Sequence, residues 1–233
     1  MDRNSNTYTF IYAAGMVILV AAILASVAMA LRPLQNTNIE VEKMQNILAS
    51  VNIESTAADA EEIYTERIQT QYVVNWQGEV VEGEDAFDID LKKEQAKDLE
   101  ERLMPVYECQ TEEGLKYIFP MRGSGLWGPI WGFVSLDSDM NTIYGANFDH
   151  QSETPGLGAE ISTDWFQATF SGKEIFNEQG ELVSLTITKP GQDAPEEHKV
   201  DGISGGTITS KGLEEMLLSD FQSYSEFLKK KKS

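Results

Sequence analysis

The stretch Asp201-Gly202-Ile203-Ser204-Gly205-Gly206-Thr207-Ile208-Thr209 decides how this chain is read. Its glycines, set among Ser204, Thr207 and Thr209, make a loop whose backbone can reach positive φ and come close to whatever it faces. Lys211-Gly-Leu-Glu-Glu-Met-Leu-Leu218 follows directly and opens a helical apolar pattern, with Leu213, Met216 and Leu217 on one face. A glycine turn feeding a helix start leaves N–H groups free at the end where the helix dipole favours negative charge. The stretch is therefore a candidate anion site. A plainer reading stands beside it, a turn whose helix is capped by Thr209 or Ser210. Loop chemistry alone leaves both open.

Two further glycine-bearing stretches lie upstream. Arg122-Gly-Ser-Gly-Leu-Trp-Gly-Pro-Ile-Trp-Gly132 packs glycines around Trp127 and Trp131. It reads as a turn into a buried strand, Ile130 to Leu136, with a hairpin through Asp137-Ser-Asp139 to Thr142-Ile-Tyr144. Asp149-His-Gln-Ser-Glu-Thr-Pro-Gly-Leu-Gly158 contains Pro155-Gly156, the pair a type II turn places at its centre. His150 invites a metal or acid–base role, but His198 is the only other histidine, so no ligand set exists and His150 reads as structural.

The intervening chain mixes strands and helices. Gln71 to Trp76, Gly78 and Glu79 to Val81 read as strand, turn, strand. Val106 to Gln110 and Leu115 to Pro120 flank Thr111-Glu-Glu-Gly114 as a hairpin. Lys92 to Arg102 is a charged surface helix or linker, and Asp164 to Phe170 a short amphipathic helix with Thr163 as its candidate cap. Gly180 to Thr188 reads as a strand, and Lys189 to Lys199 as a polar loop with two prolines. The fold class expected is α+β.

Phe10 to Leu31 is an uncharged apolar run of 22 residues, flanked by Arg3 and Arg32. A helix crosses the hydrocarbon core with roughly 20 residues. A cleaved signal peptide competes, given Ala28-Met29-Ala30, but its apolar region is typically about 7–15 residues long. A retained membrane anchor in contact with lipid is the expectation. Basic residues on both sides leave its orientation undecided. From Asn36 the pattern is again helical, with Ile39, Met44, Ile47, Leu48 and Val51 in a stripe and Thr37 or Asn38 as candidate cap. Ser55 to Ile63 reads as another helix. The organisation expected is a tail at 1–9, a transmembrane helix at 10–31, a helical connector at 32–70 and a soluble domain at 71–233.

With 38 acidic against 18 basic residues the formal charge is −20, which argues against nucleic acid and against anionic lipid as docking partners. The single cysteine, Cys109, excludes an internal disulfide and a cysteine-ligated cluster. No G-x-G-x-x-G dinucleotide fingerprint is present.

Asp201-Gly-Ile-Ser-Gly-Gly-Thr207 resembles the flavinylation motif of the FMN-binding family, D-G-x-S/T-G-A-T, with Gly206 where alanine is usual. Gly-Leu-Trp-Gly and His-x-x-Glu-Thr-Pro-Gly-Leu-Gly match two further elements of that family, in the same order. With the N-terminal anchor, the whole chain is similar to the C subunits of sodium-translocating NADH:quinone oxidoreductases. The G subunits of Rnf electron-transport complexes are the alternative.

The resemblance implies FMN held covalently by a phosphoester at Thr207, with Ser204, Gly205, Gly206 and Thr209 around the phosphate. It sets Trp127, Glu153, Thr154 and Leu157 against the isoalloxazine. It also implies an electron relay coupled to sodium export, on the outer, periplasmic side of a bacterial inner membrane. The partners implied are a B-type FMN subunit, an iron-containing membrane pair and, for maturation, a flavin transferase; the NADH site would lie on another subunit. A non-redox anchored binding module is the remaining reading.

Overall fold

The computed structural model describes residues 6–189 and 191–232. Arg3, a flank of the apolar run, and Pro190, one of the loop prolines, lie outside the described residues. The chain divides into two units, Met1–Lys43 and Met44–Ser233.

The first unit is helical throughout its described part. Helix α1 (Asn6–Ala49) starts there and its final turns belong to the second unit. It is long and apolar enough to cross a membrane, and Phe10, Ile18 and Leu24 are among its exposed side chains. The stripe beginning at Asn36 is a continuation of α1 and not a new helix. Pro33 lies inside it, and the Thr37 hydroxyl donates back to the Pro33 carbonyl at 3.2 Å instead of capping free N–H groups. A hydroxyl bonded one turn back is compatible with unbroken helix.

The second unit is built on a six-stranded antiparallel sheet. Its strands are β1 (Ile68–Val74), β2 (Val80–Val81), β3 (Met104–Thr111), β4 (Gly114–Ser124), β5 (Pro129–Leu136) and β6 (Ile143–His150), in the order β2-β1-β3-β4-β5-β6. From β3 onward each strand pairs with the next in sequence, so the hairpins expected at Thr111 and Asp137 are present.

Tyr117-Ile-Phe-Pro-Met121 is buried continuously, the pattern of a strand covered on both faces. Successive residues feed opposite cores. Val73, Tyr107, Ile118 and Phe133 pack with Ile47 and Leu48 from the end of α1, with Val51 in the turn after it and with Tyr64 from α2 (Ala60–Arg67). Val74, Val106, Phe119 and Val134 pack on the other side, under the C-terminal helices. Cys109 lies in the first of these cores, where burial pushes its thiol up to about 11.

The C-terminal helices are α5 (Thr207–Ser223) and α6 (Ser225–Lys232). Leu213, Met216, Leu217 and Phe221 are all buried at helical spacing, which is what the sequence stripe called for. Gly212 lets α5 lie directly on the end of β4, because a Cβ there would collide with the Ser124 carbonyl oxygen. Further along, Asp220 accepts hydrogen bonds from the Arg122 N–H at 2.8 Å and from Gln95 Nε2 at 3.0 Å. Burial nevertheless pushes its carboxyl up to about 7, against those bonds and the nearby Arg102 charge.

Four local expectations need correction. The helix expected over Ser55 to Ile63 is α2, which starts only at Ala60 and runs on to Arg67, with Thr56 to Asp59 forming a turn before it. Lys92 to Arg102 forms one short helix, α3 (Leu91–Gln95), then a single 3-10 turn at Leu99–Glu101. The helix after Thr163 is α4 (Asp164–Gln167), continued by a 3-10 turn. Thr163 does not cap it, since its hydroxyl donates to the Glu160 carbonyl at 2.6 Å. Of Gly180 to Thr188 only Thr186–Thr188 is strand (β7), paired in parallel with β8 (Lys199–Asp201). Ser184 takes φ +58° and both Val183 and Ser184 donate to the Ile175 carbonyl, which ends extended geometry there.

Candidate flavin site

The first part of the site is the turn joining β4 to β5. Ser124 pairs with Pro129, and the Gly125 N–H donates to the Gly128 carbonyl at 2.8 Å, closing a tight loop. Its tip carries Leu126 and Trp127 outward, with Trp127 65% exposed.

The second part follows β6. Gln151 N donates to the Pro129 carbonyl at 3.1 Å, which holds the loop beside the first turn. The Glu153 N–H donates to His150 Nδ1 at 3.2 Å, so His150 serves the loop as an acceptor. The Thr154 carbonyl receives the N–H groups of Leu157 and Ala159, and Gly156 takes φ +76°, as the third residue of a type II turn requires. Thr154 is exposed and Leu157 is 42% exposed. Glu160 clamps the loop from behind, accepting from the Gly156 N–H at 3.1 Å and from the Trp165 indole at 3.4 Å.

The third part arrives through β8. The Gly202 N–H donates to the Thr188 carbonyl at 2.8 Å, extending the β7–β8 pairing into the glycine loop. Gly205 turns the chain at φ +77°, and α5 begins at Thr207 with Gly206 in the capping position. Neither Thr209 nor Ser210 caps the helix. Both are buried in its first turn, Ser210 Oγ accepting from the Ile203 N–H at 3.3 Å. With Gly206 in the capping position, no side chain caps the first-turn N–H groups of α5. Ser204 and Thr207 are exposed there.

These three stretches meet. Glu153, only 5% exposed, accepts from the Trp127 N–H at 2.8 Å through Oε1 and from the Thr209 hydroxyl at 2.6 Å through Oε2. Leu157 lies over Gly205, where a Cβ would come within 2.6 Å of Leu157 Cδ2. Trp127, Glu153, Leu157, Gly205 and Thr209 thus share one neighbourhood, 82 positions apart at the extremes and adjacent in space.

Thr207, Ser204 and Gly205 line a cleft of about 350 Å³ together with Thr188, Lys189, Lys211 and Glu214, whereas Gly206 and Thr209, expected around the phosphate, are buried and do not line it, the Thr209 hydroxyl being taken by Glu153. The ammonium of Lys211 is paired with Glu214. Among the described residues no cluster of metal-binding side chains occurs.

FMN fits this arrangement chemically. Its phosphate is matched by an open helix start with lysines nearby, and its ring by exposed Trp127 and Leu157 on glycine-bordered loops. What sequence reading missed is the support beneath the surface. Glu153 ties two stretches together, Gly125 and Gly158 leave room for its carboxylate, and Lys189 joins the cleft. Gly212 carried a signal, a glycine inside a helical run; the Glu153 contacts carried none.

The FMN-binding domain family model matches residues 125–219, which span all three stretches. The chain is 34% identical to the C subunit of the Na(+)-translocating NADH-quinone reductase of Haemophilus ducreyi, over 91% of this chain and 88% of the relative. It is 31% identical to the C subunit of the Pseudomonas aeruginosa reductase, over 93% and 91%. The solved structure of the corresponding C subunit of Parabacteroides distasonis superposes with a TM-score of 0.79 at 47% identity, covering 85% of this chain and 96% of that one. NqrC of Shewanella oneidensis, at 22% identity and a TM-score of 0.70 over 84% and 99%, shares the fold. With these motifs in one site and identity running along nearly its whole length, the chain belongs to the family of Na(+)-translocating NADH-quinone reductase C subunits.

Proposed function

We propose that this chain is the membrane-anchored subunit of a sodium-exporting NADH:quinone reductase that relays electrons through FMN bound to Thr207 by a phosphoester. The observation that carries the reading is the setting of Thr207. Thr207 is exposed at the first residue of α5, lining a cleft, behind two residues without side chains. That exposure leaves it accessible to a flavin transferase carrying FAD. In the attachment the Thr207 hydroxyl gives up its proton, its oxygen bonds to the phosphorus of the FMN half, and AMP leaves.

Bound FMN supplies the ability to accept and pass on electrons; this chain supplies orientation and surroundings. Lys189 and the α5 N–H groups offset the charge of the phosphodiester. Trp127 and Leu157 offer apolar surface that shields the ring from water, and Thr154 offers hydrogen-bonding groups to its polar edge. The apolar part of α1 anchors the chain in the bacterial inner membrane as a single pass, with the flavin unit outside. A B-type FMN subunit and an iron-containing membrane pair are its redox neighbours, and NADH reacts on another subunit.

The test is denaturing electrophoresis with in-gel fluorescence on protein co-expressed with a flavin transferase. The parent shows a fluorescent band. Thr207→Val, which keeps the β-branched shape and removes the oxygen, loses it, whereas Ser204→Ala keeps it. A fluorescent Thr207→Val band, mapped by peptide mass to another residue, would overturn the assignment.

A further inference from the structure

We infer that Glu153 is a positioning residue: its buried carboxylate fixes the Trp127 turn and the first turn of α5 in one frame, so that the aromatic wall and the acceptor hydroxyl are set before any flavin arrives. The inference rests on the reading of Thr207 as acceptor.

The carboxylate spends both oxygens on protein donors that belong to different parts of the site. Oε1 accepts from the Trp127 N–H at 2.8 Å and Oε2 from the Thr209 hydroxyl at 2.6 Å. Thr209 lies two residues beyond Thr207 in the same first turn of α5. The space around the group is shaped to take it. A Cβ on Gly125 would lie 2.5 Å from Oε1, and one on Gly158 would collide with Oε2. Two glycines from two loops therefore flank one buried carboxylate. The loop that bears it is held at its own backbone by His150 Nδ1, and Ser152 Oγ donates to the Trp127 carbonyl at 3.0 Å. Trp127 is thus gripped at both its N–H and its carbonyl while its ring stays free on the surface. Both carboxylate oxygens of Glu153 are thus occupied by protein donors, one of them in the first turn of α5.

The geometry separates two effects of the group. A glutamine at this position can accept from the Trp127 N–H with its oxygen and donate to the Thr209 hydroxyl with its nitrogen. Glu153→Gln therefore keeps the frame and removes only the charge. Glu153→Ala removes both arms. Thr209→Val removes one arm at nearly constant shape.

The experiment uses the full-length chain co-expressed with a flavin transferase, and reads three quantities. These are the rate at which the fluorescent band appears, the absorbance spectrum of the attached flavin, and amide hydrogen exchange of peptides covering residues 125–130. Circular dichroism selects variants that fold. The expected result is that Glu153→Ala, which strands both the Trp127 N–H and the Thr209 hydroxyl, flavinylates at least about tenfold more slowly. Its flavin spectrum shifts and its 125–130 amides exchange faster. Thr209→Val shows the slower flavinylation with the Trp127 amide still protected, and Glu153→Gln returns rate and exchange to the parent values.

Parent-like rate, spectrum and exchange in folded Glu153→Ala would overturn the inference. If that variant does not fold, parent-like flavinylation and spectrum in Thr209→Val would overturn it equally. A Glu153→Gln variant as impaired as Glu153→Ala would overturn the framing role in favour of the charge itself. A parent that flavinylates elsewhere than Thr207 would instead remove the acceptor reading, and the exchange result would still report on the frame.

Discussion

Leu157 touches Gly205 on its inner side and stands 42% exposed on its outer side, so it supports the glycine loop and leaves apolar surface open beside it. Leu157→Ala is expected to leave the fluorescent band intact, because the bond is made at the phosphate end. Its absorbance and midpoint potential are expected to differ from the parent through greater water access. Values identical to the parent would take Leu157 out of the ring pocket. Asp220 makes a second prediction at this scale. Its carboxyl is raised from 3.8 to about 7 in the folded protein, so between those values the native state binds the proton that the unfolded state has released. Stability therefore falls as pH rises across that window and levels off above it. Urea midpoints from pH 4 to pH 8 measure the slope, and Asp220→Asn is expected to flatten it. A slope unchanged in that variant would place the titration elsewhere. At the residue scale, Trp127 and Leu157 stood out because they sit in short glycine-bordered motifs, and the structure leaves Trp127 65% and Leu157 42% exposed. The part played by Glu153 did not, since its partner Thr209 is 56 residues away and nothing local marks the pairing.

Helix α5 rests on β4 through a contact that tolerates no side chain, at Gly212 against the Ser124 carbonyl. Gly212→Ala should gain about 1 kcal/mol from helix propensity and lose about 1–3 kcal/mol from overpacking. A net drop in the urea midpoint at constant slope is the expected result; a rise would show that α5 can slide on the sheet at little cost. Elements that carry their own pattern were readable. β3, β4 and β5 declared themselves as apolar runs bounded by turns, and α5 by Leu213, Met216 and Leu217. Elements decided by a single backbone atom were not. Gly180 to Thr188 has the composition of a strand, yet the Ile175 carbonyl captures two successive N–H groups and bends the chain at Ser184. Thr163 and Thr209 have capping chemistry, but nearer or stronger acceptors take their hydroxyls.

At the scale of the whole molecule, the apolar part of α1 is confined to one end of the chain, and the three site stretches lie wholly downstream of it. A chain starting near Gln35 is expected to stay in the supernatant after ultracentrifugation and to accept flavin when co-expressed with the transferase. Recovery of that fragment with the membranes would reveal a second membrane contact. The α+β class and the N-terminal helix were legible from composition and period alone; the two-core arrangement was not, because neither strand face is polar enough to announce which helices cover it. The sheet from β3 to β6 pairs neighbour with neighbour, so each strand can close on the one before it by local contacts alone. The bond between Glu153 and Thr209 cannot close so early: its partners are 56 residues apart and it must close a much longer loop. Attachment of a flavin at Thr207 would then be an event in time as well as in space, fastest once the late loop has found the early ones. A fluorescent band on a gel would count the chains that finished folding.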